Sequence, residues 1–185
     1  MIALSGSGIA GLAAALAVLR NQRPLLLVAG RTPATTLQGG VQIAPNGWAA
    51  LDQLGLGDAA RARATTLQAI TVRDMRSAAT LASLDLSASP YASLSRADLA
   101  SLLKAEISTL SGMTDIAANI THVVQRGPDQ GKSVHVLTDD GGRHIVDALI
   151  AADGVSGFGR HYVNGTDSGM NTAPNKGRVA MRAVA

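Results

Sequence analysis

Ile2-Ala3-Leu4, then Gly6-Ser7-Gly8-Ile9-Ala10-Gly11, an apolar run to Leu19, and Leu25-Leu26-Leu27-Val28 form the stretch that decides the fold. It reads as a short buried strand, a glycine turn, a helix and a second buried strand. A parallel strand pair joined by one helix is the unit that binds dinucleotides. Gly6 makes the tight turn, Gly8 lets the backbone approach a pyrophosphate, and Gly11 lets the helix pack closely on the strand. Ile9 and Ala10 open the helix, where unpaired N–H groups and the positive dipole end favour phosphate. Helical spacing puts Ile9, Leu12, Ala13, Leu16 and Leu19 on one face. The bland alternative is a glycine turn used only for packing.

One part of this unit is missing. A carboxylate is expected about 20 residues past the glycines, at the end of the second strand, to bond a ribose 2′-OH. The strand ends instead Val28-Ala29-Gly30-Arg31, with no acid. Gly30-Arg31 is what a 2′-phosphate would want, so an NADP-binding reductase is one alternative. A Rossmann-like remnant without cofactor is another.

The 185 residues suffice for one domain or slightly more, with a real core. The apolar share is 46%, yet the aromatics are only Trp48, Tyr91, Phe158 and Tyr162, so the core is one of small, closely packed residues. The net charge of +3 comes from dispersed arginines without aromatic interleaving, which favours a solvated face or an anionic ligand over nucleic acid. The absence of Cys excludes disulfides, thiolate metal sites and cysteine catalysis. His122, His135, His144 and His161 share no metal-ligand spacing, so no metal is expected. No apolar run reaches the ~18 residues of a membrane span, and no basic segment precedes 9–19 as in a signal peptide. The expectation is a cytoplasmic, soluble chain.

Further along, Asn46 is a plausible N-cap for a helix bearing Trp48, Leu51 and Leu54 that Gly55 ends, with Trp48 in the core. Residues 67–74 and 79–86 alternate, which predicts two antiparallel strands joined around Arg76-Ser77-Ala78. A loop is expected over 87–94. Ser95-Arg96-Ala97-Asp98 then gives a capping-box start to a helix closed by Gly112. Residues 116–124 and 133–138 are strand-like, Asp139-Asp140-Gly141-Gly142 is a hairpin turn, and 145–151 is a buried strand. Residues 164–177 read as a loop and 178–184 as a strand. No G-x-S-x-G elbow, P-loop or H-E-x-x-H occurs, which removes hydrolase and NTPase chemistry. Asp153-Gly154 differs from an ordinary turn in place: a carboxylate there ends a strand on the edge where open α/β sheets bind ligands.

Four segments in order resemble FAD-dependent aromatic-ring monooxygenases of the para-hydroxybenzoate and salicylate hydroxylase class. They are the 6–16 glycine segment; Gly39-Gly40-Val41-Gln42-Ile43-Ala44-Pro45-Asn46 with 51–56; Ser95-Arg96-Ala97-Asp98-Leu99; and Ala151-Ala152-Asp153-Gly154-Val155 with Arg160. The resemblance implies an α/β, Rossmann-like FAD/NAD(P)-binding fold with a parallel central sheet, plus part of an antiparallel substrate-domain sheet. Residues 1–66 and 95–165 would form the FAD-binding domain, and 67–94 with 166–185 the beginnings of the substrate sheet. Gly6, Gly8, Ile9, Ala10, Gly11, Arg31, Arg96, Asp153 and Gly154 would bind cofactor. The implied chemistry is reduction of FAD by NAD(P)H, then reaction with O₂ to a flavin hydroperoxide that hydroxylates a small aromatic substrate. The cofactor carries that chemistry while the protein orients it. The chain departs from the family at Ala29/Gly30 and at Thr35/Thr36, where an Arg is usual. It also ends before a downstream Gly-Asp segment, so it is expected to be the N-terminal part of a longer enzyme. No catalytic base can be assigned.

Overall fold

The computed structural model describes residues 1–30, 39–127, 129 and 131–165. Arg31, Thr35, Thr36 and the segments 166–177 and 178–184 lie outside the described residues. The chain divides into two compact units, one from Met1–Thr36 and Leu103–Met181 and one from Leu37–Leu102.

In the first unit, β1 (Ile2–Ser5), α1 (Ile9–Arg20) and β2 (Leu25–Ala29) follow the sequence reading. β8 (Met113–Ala117) and β12 (Ala148–Ala151) complete a four-stranded sheet in the order β12-β1-β2-β8, parallel throughout. The buried face of α1 is Gly11, Leu12, Ala15, Leu16, Val18 and Leu19. Ile9 and Ala13, expected on that face, are only half-buried, because the buried face is centred on Gly11, Leu12, Ala15 and Leu19 instead.

Three antiparallel strands, β9 (Ile120–Arg126), β10 (Ser133–Thr138) and β11 (Arg143–Val146), form a second sheet of the same unit. Its Ile120, Val136 and Val146 share one core with Ala3, Leu26, Val28 and Ala118. This two-sheet arrangement corrects two expectations. The strand foreseen over 116–124 is two strands, and the chain leaves the parallel sheet at Ala118-Asn119. The buried strand foreseen over 145–151 is also two, broken at Asp147, whose N–H donates to the Met1 carbonyl at 3.0 Å. β12 is an edge strand with Ala148 and Ala151 exposed, not a buried one. α5 (Phe158–Asn164), absent from the sequence reading, closes the described chain, so Asn164 is helical. The hairpin turn at 139–142 is present, with Gly141 at φ +85°.

In the second unit, β3 (Gly40–Ile43), β7 (Ala92–Ser95) and β4 (Thr65–Thr66) form an antiparallel sheet in the order β3-β7-β4. β7 corrects the loop expected up to residue 94: Ala92 and Leu94 are buried. α2 (Pro45–Gln53) is capped by Ala44, not Asn46, because Pro45 takes the first helical position, where its missing N–H costs nothing. Trp48 is buried, and Arg61 of α3 (Gly57–Arg61) stacks over it at 4.9 Å while gripping Asp52 with two hydrogen bonds of 2.7 and 2.8 Å. That grip holds the Asp52 carboxyl below its ordinary range. β5 (Ala69–Arg73) and β6 (Thr80–Asp85) pair as the expected ribbon. α4 (Arg96–Ser108) has residues on both sides of the division, and the Asp98 N–H donates to Ser95 Oγ at 3.3 Å, as the capping motif requires.

Candidate dinucleotide site

The first unit gathers most of the expected site residues at the C-terminal ends of the parallel strands. Backbone pairing continues past β1: Gly6 N–H donates to Val28 O at 2.9 Å, and Ala152 N–H to Ser5 O at 2.8 Å. Gly6 then turns at φ +97°, with the Ala152 carbonyl where a Cβ would sit. A Cβ on Gly11 would strike the Gly6 carbonyl, so that position permits no larger residue. Gly8 is the opposite case. It caps α1 in extended geometry, and a Cβ there would meet nothing within 4 Å. Two of the glycines therefore serve close packing and the third faces open space.

The open space adjoins the start of α1, whose first N–H groups have no partner inside the helix. No acidic residue occupies that first turn, so the positive end of the helix is left uncompensated. Ala10 lines a cleft of about 470 Å³ with Asp153, Gly154 and Arg160. Arg160 Nε is buried there with no hydrogen-bond partner among the described residues. A helix N-terminus, an open glycine and an arginine lining the cleft together suit an anionic diphosphate.

Asp153 ends β12 and ties the neighbouring elements together. Its Oδ2 accepts from Ser5 Oγ at 3.0 Å and from the Gly159 N–H at 3.1 Å, so it joins the tip of β1 to the start of α5. Gly157 and Gly159 allow this approach: a Cβ on Gly157 would strike the Asp153 carboxyl, and one on Gly159 the Ala151 methyl. Gly154 turns at φ +88° into open space. Arg160 was read as part of the Asp-Gly motif, whereas Ser5, Asn119, Gly157 and Gly159 were not singled out as site residues. Only the glycine spacing at 157 and 159 could have signalled any of them. A second cleft, of about 330 Å³, is lined by Gly6, Gly30, Asn119, Asp153 and Gly157.

Arg96 belongs to the second unit. It opens α4, is half-buried, and its N–H donates to the Gly39 carbonyl at 3.1 Å. Arg31 lies outside the described residues. Among the described residues no cluster of His, Cys, Asp or Glu could hold a metal, and no helix is long and apolar enough to cross a membrane.

No family model matches the chain. It is 30% identical to 3-hydroxybenzoate 6-hydroxylase of Polaromonas naphthalenivorans, over 99% of this chain and 46% of that protein. It is 33% identical to a 3-amino-4-hydroxybenzoate 2-monooxygenase of Streptomyces platensis, over 89% of this chain and 42% of that protein. Among solved structures, a variant of Klebsiella pneumoniae HpxO complexed with FAD matches with a TM-score of 0.69 and 25% identity, over 89% of this chain and 42% of that one. The chain is related to the FAD-dependent aromatic monooxygenases. The fold agrees: PqsL of Pseudomonas aeruginosa superposes with a TM-score of 0.74 at 19% identity, over 91% of this chain and 46% of that one. The chain spans about half the length of these monooxygenases, 40% to 46% for three curated 3-hydroxybenzoate hydroxylases.

Proposed function

We propose that this chain is the FAD-binding portion of an NAD(P)H-dependent flavoprotein monooxygenase that uses O₂ to hydroxylate a small aromatic substrate in the cytoplasm. The glycine turn carries the reading: Gly6 and Gly11 are closed by contact, whereas Gly8 opens beside an uncompensated helix N-terminus. The chain's kinship with benzoate hydroxylases supports the flavin over other dinucleotides.

Each residue then has a task. Gly8, Ile9 and Ala10 present backbone to the diphosphate, Gly6 and Gly11 let the turn close tightly around it, and Arg160 adds a cation. Asp153 holds β1 against α5, and Gly154 opens the edge of the cleft. Arg96, in the second unit, and Arg31, outside the described residues, carry guanidinium groups of the kind suited to phosphate or flavin edges. The β5–β6 ribbon would face the substrate. When bound, the flavin supplies the redox and oxygen chemistry, and the chain's own residues bind and orient it.

The test is FAD titration of the purified chain, read by flavin fluorescence and visible absorbance. Saturable binding is expected, and Gly8→Ala should weaken it strongly while moving the unfolding midpoint little, because a Cβ at Gly8 meets no protein atom within 4 Å. Absence of binding by the unsubstituted chain would overturn the reading.

A further inference from the structure

Where the second strand ends without an acid, another residue fills the space. A Cβ placed on Gly30 would lie 2.5 Å from Asn119 Oδ1, with Cγ at 3.5 Å and Nδ2 at 3.9 Å. The amide oxygen of Asn119 therefore sits where a side chain from the end of β2 would begin. Any residue larger than glycine at position 30 would displace it. Gly30 and Asn119 form an exclusive pair, and both line the cleft beside Gly6.

The orientation of the amide follows from its partner. Asn119 Nδ2 donates to Asp139 Oδ2 at 2.8 Å, and the Asn119 backbone N–H donates to Asp139 Oδ1 at 3.0 Å. The Asp139 N–H returns a bond to the Asn119 carbonyl at 2.9 Å. An ionised carboxylate only accepts, so the NH₂ must face Asp139 and the oxygen must face Gly30. Among the described residues no donor reaches that oxygen. It is an exposed acceptor held in place by Asp139 and unpartnered among the described residues.

We propose that Asn119, clamped by Asp139, supplies the ribose-hydroxyl acceptor that this fold otherwise takes from a carboxylate at the end of its second strand. The proposal rests on the reading of the first unit as an FAD site. In that unit the ribose of a dinucleotide lies between the glycine turn and the end of the second strand, which is where this cleft opens. The acceptor comes from the corner between β8 and β9 instead. The missing acid is thus replaced rather than lost.

The experiment compares FAD with an FAD analogue carrying 2′-deoxyadenosine, titrated against the full chain and three variants by flavin fluorescence. The unsubstituted chain should prefer FAD, and Asn119→Ala should weaken FAD about tenfold without altering affinity for the deoxy analogue, as one hydrogen bond predicts. Gly30→Glu alone should weaken FAD, since its stem overlaps the amide oxygen, and Gly30→Glu with Asn119→Ala should restore the preference. Equal loss for both ligands in Asn119→Ala would show a merely structural role and overturn the proposal. So would equal affinity of the unsubstituted chain for both ligands. Failure of the unsubstituted chain to bind either flavin would instead sink the FAD reading on which the proposal rests.

Discussion

Strand β2 and the β5–β6 ribbon are both apolar, yet their side chains meet different surroundings. Leu25 to Val28 are all buried, at 5% exposure or less. In the ribbon, the registers Ile70↔Leu84 and Val72↔Ala82 place these four residues on one face. Val72 is nevertheless 51% exposed and Leu84 57%. The difference lies in what covers each surface. β2 runs through the middle of a parallel sheet, with α1 against the sheet and the β9–β11 sheet sharing its core, so no residue of it needs to be polar. Among the described residues the ribbon sheet has only its own two strands, which are marginal in water without further support. Apolar content therefore measures stability only where a second layer is present.

The sharpest test of that contrast is a truncation in each region. Leu26 lies in the core cluster between the two sheets, and Leu26→Ala should cost about 3 kcal/mol in chemical denaturation. A cost no greater than that of a ribbon truncation would break the comparison. Asp153→Ala comes next. It leaves the Ser5 hydroxyl, on a residue only 6% exposed, and the Gly159 N–H without their acceptor, at about 2 kcal/mol. The measurement is the same, and an unchanged midpoint would show that α5 is held by packing alone. Leu84→Ser, on the open ribbon face, should stay within about 0.5 kcal/mol of the unsubstituted chain.

The same contrast explains what the sequence disclosed. The order from β1 through β2 was legible because glycine spacing, helical periodicity and an unbroken apolar run all agree over 2–28. The ribbon was legible from its alternation, whether or not anything covers it. The corners at Ala118-Asn119 and Asp147 were not legible, since neither is marked by Gly or Pro. They are fixed by hydrogen bonds donated to Asp139 and to the Met1 carbonyl, residues far off in the chain. Asn119 beside Gly30 is invisible for the same reason: its role exists only once two strand ends are brought together. Asp153 was found by its place at a strand end, but its grip on Ser5 and Gly159 could only come from the fold.

The ribbon carries one further, smaller prediction, because its turn does work that its face does not. Asp74 Oδ1 accepts from the Ser77 N–H at 2.7 Å, from Ser77 Oγ at 2.7 Å and from the Arg76 N–H at 3.1 Å, while Ala78 turns at φ +56°. These donors, the Ser77 N–H foremost, hold the Asp74 carboxyl below its ordinary 3.8. A carboxyl depressed in the folded state stabilises fully above its unfolded value and loses that contribution as the pH falls through the folded one. The ribbon turn should therefore hold from neutrality down to the ordinary carboxylate range and loosen only below it, while β2 is unaffected. Amide hydrogen exchange read at Ser77 and at Leu27 over an acid series checks this, after correction for the intrinsic pH dependence of exchange. Protection at Ser77 should fall first and Leu27 should stay protected. Parallel loss at both would mean that the ribbon and the sheet open together, and the contrast between a self-supporting turn and a covered strand would not hold.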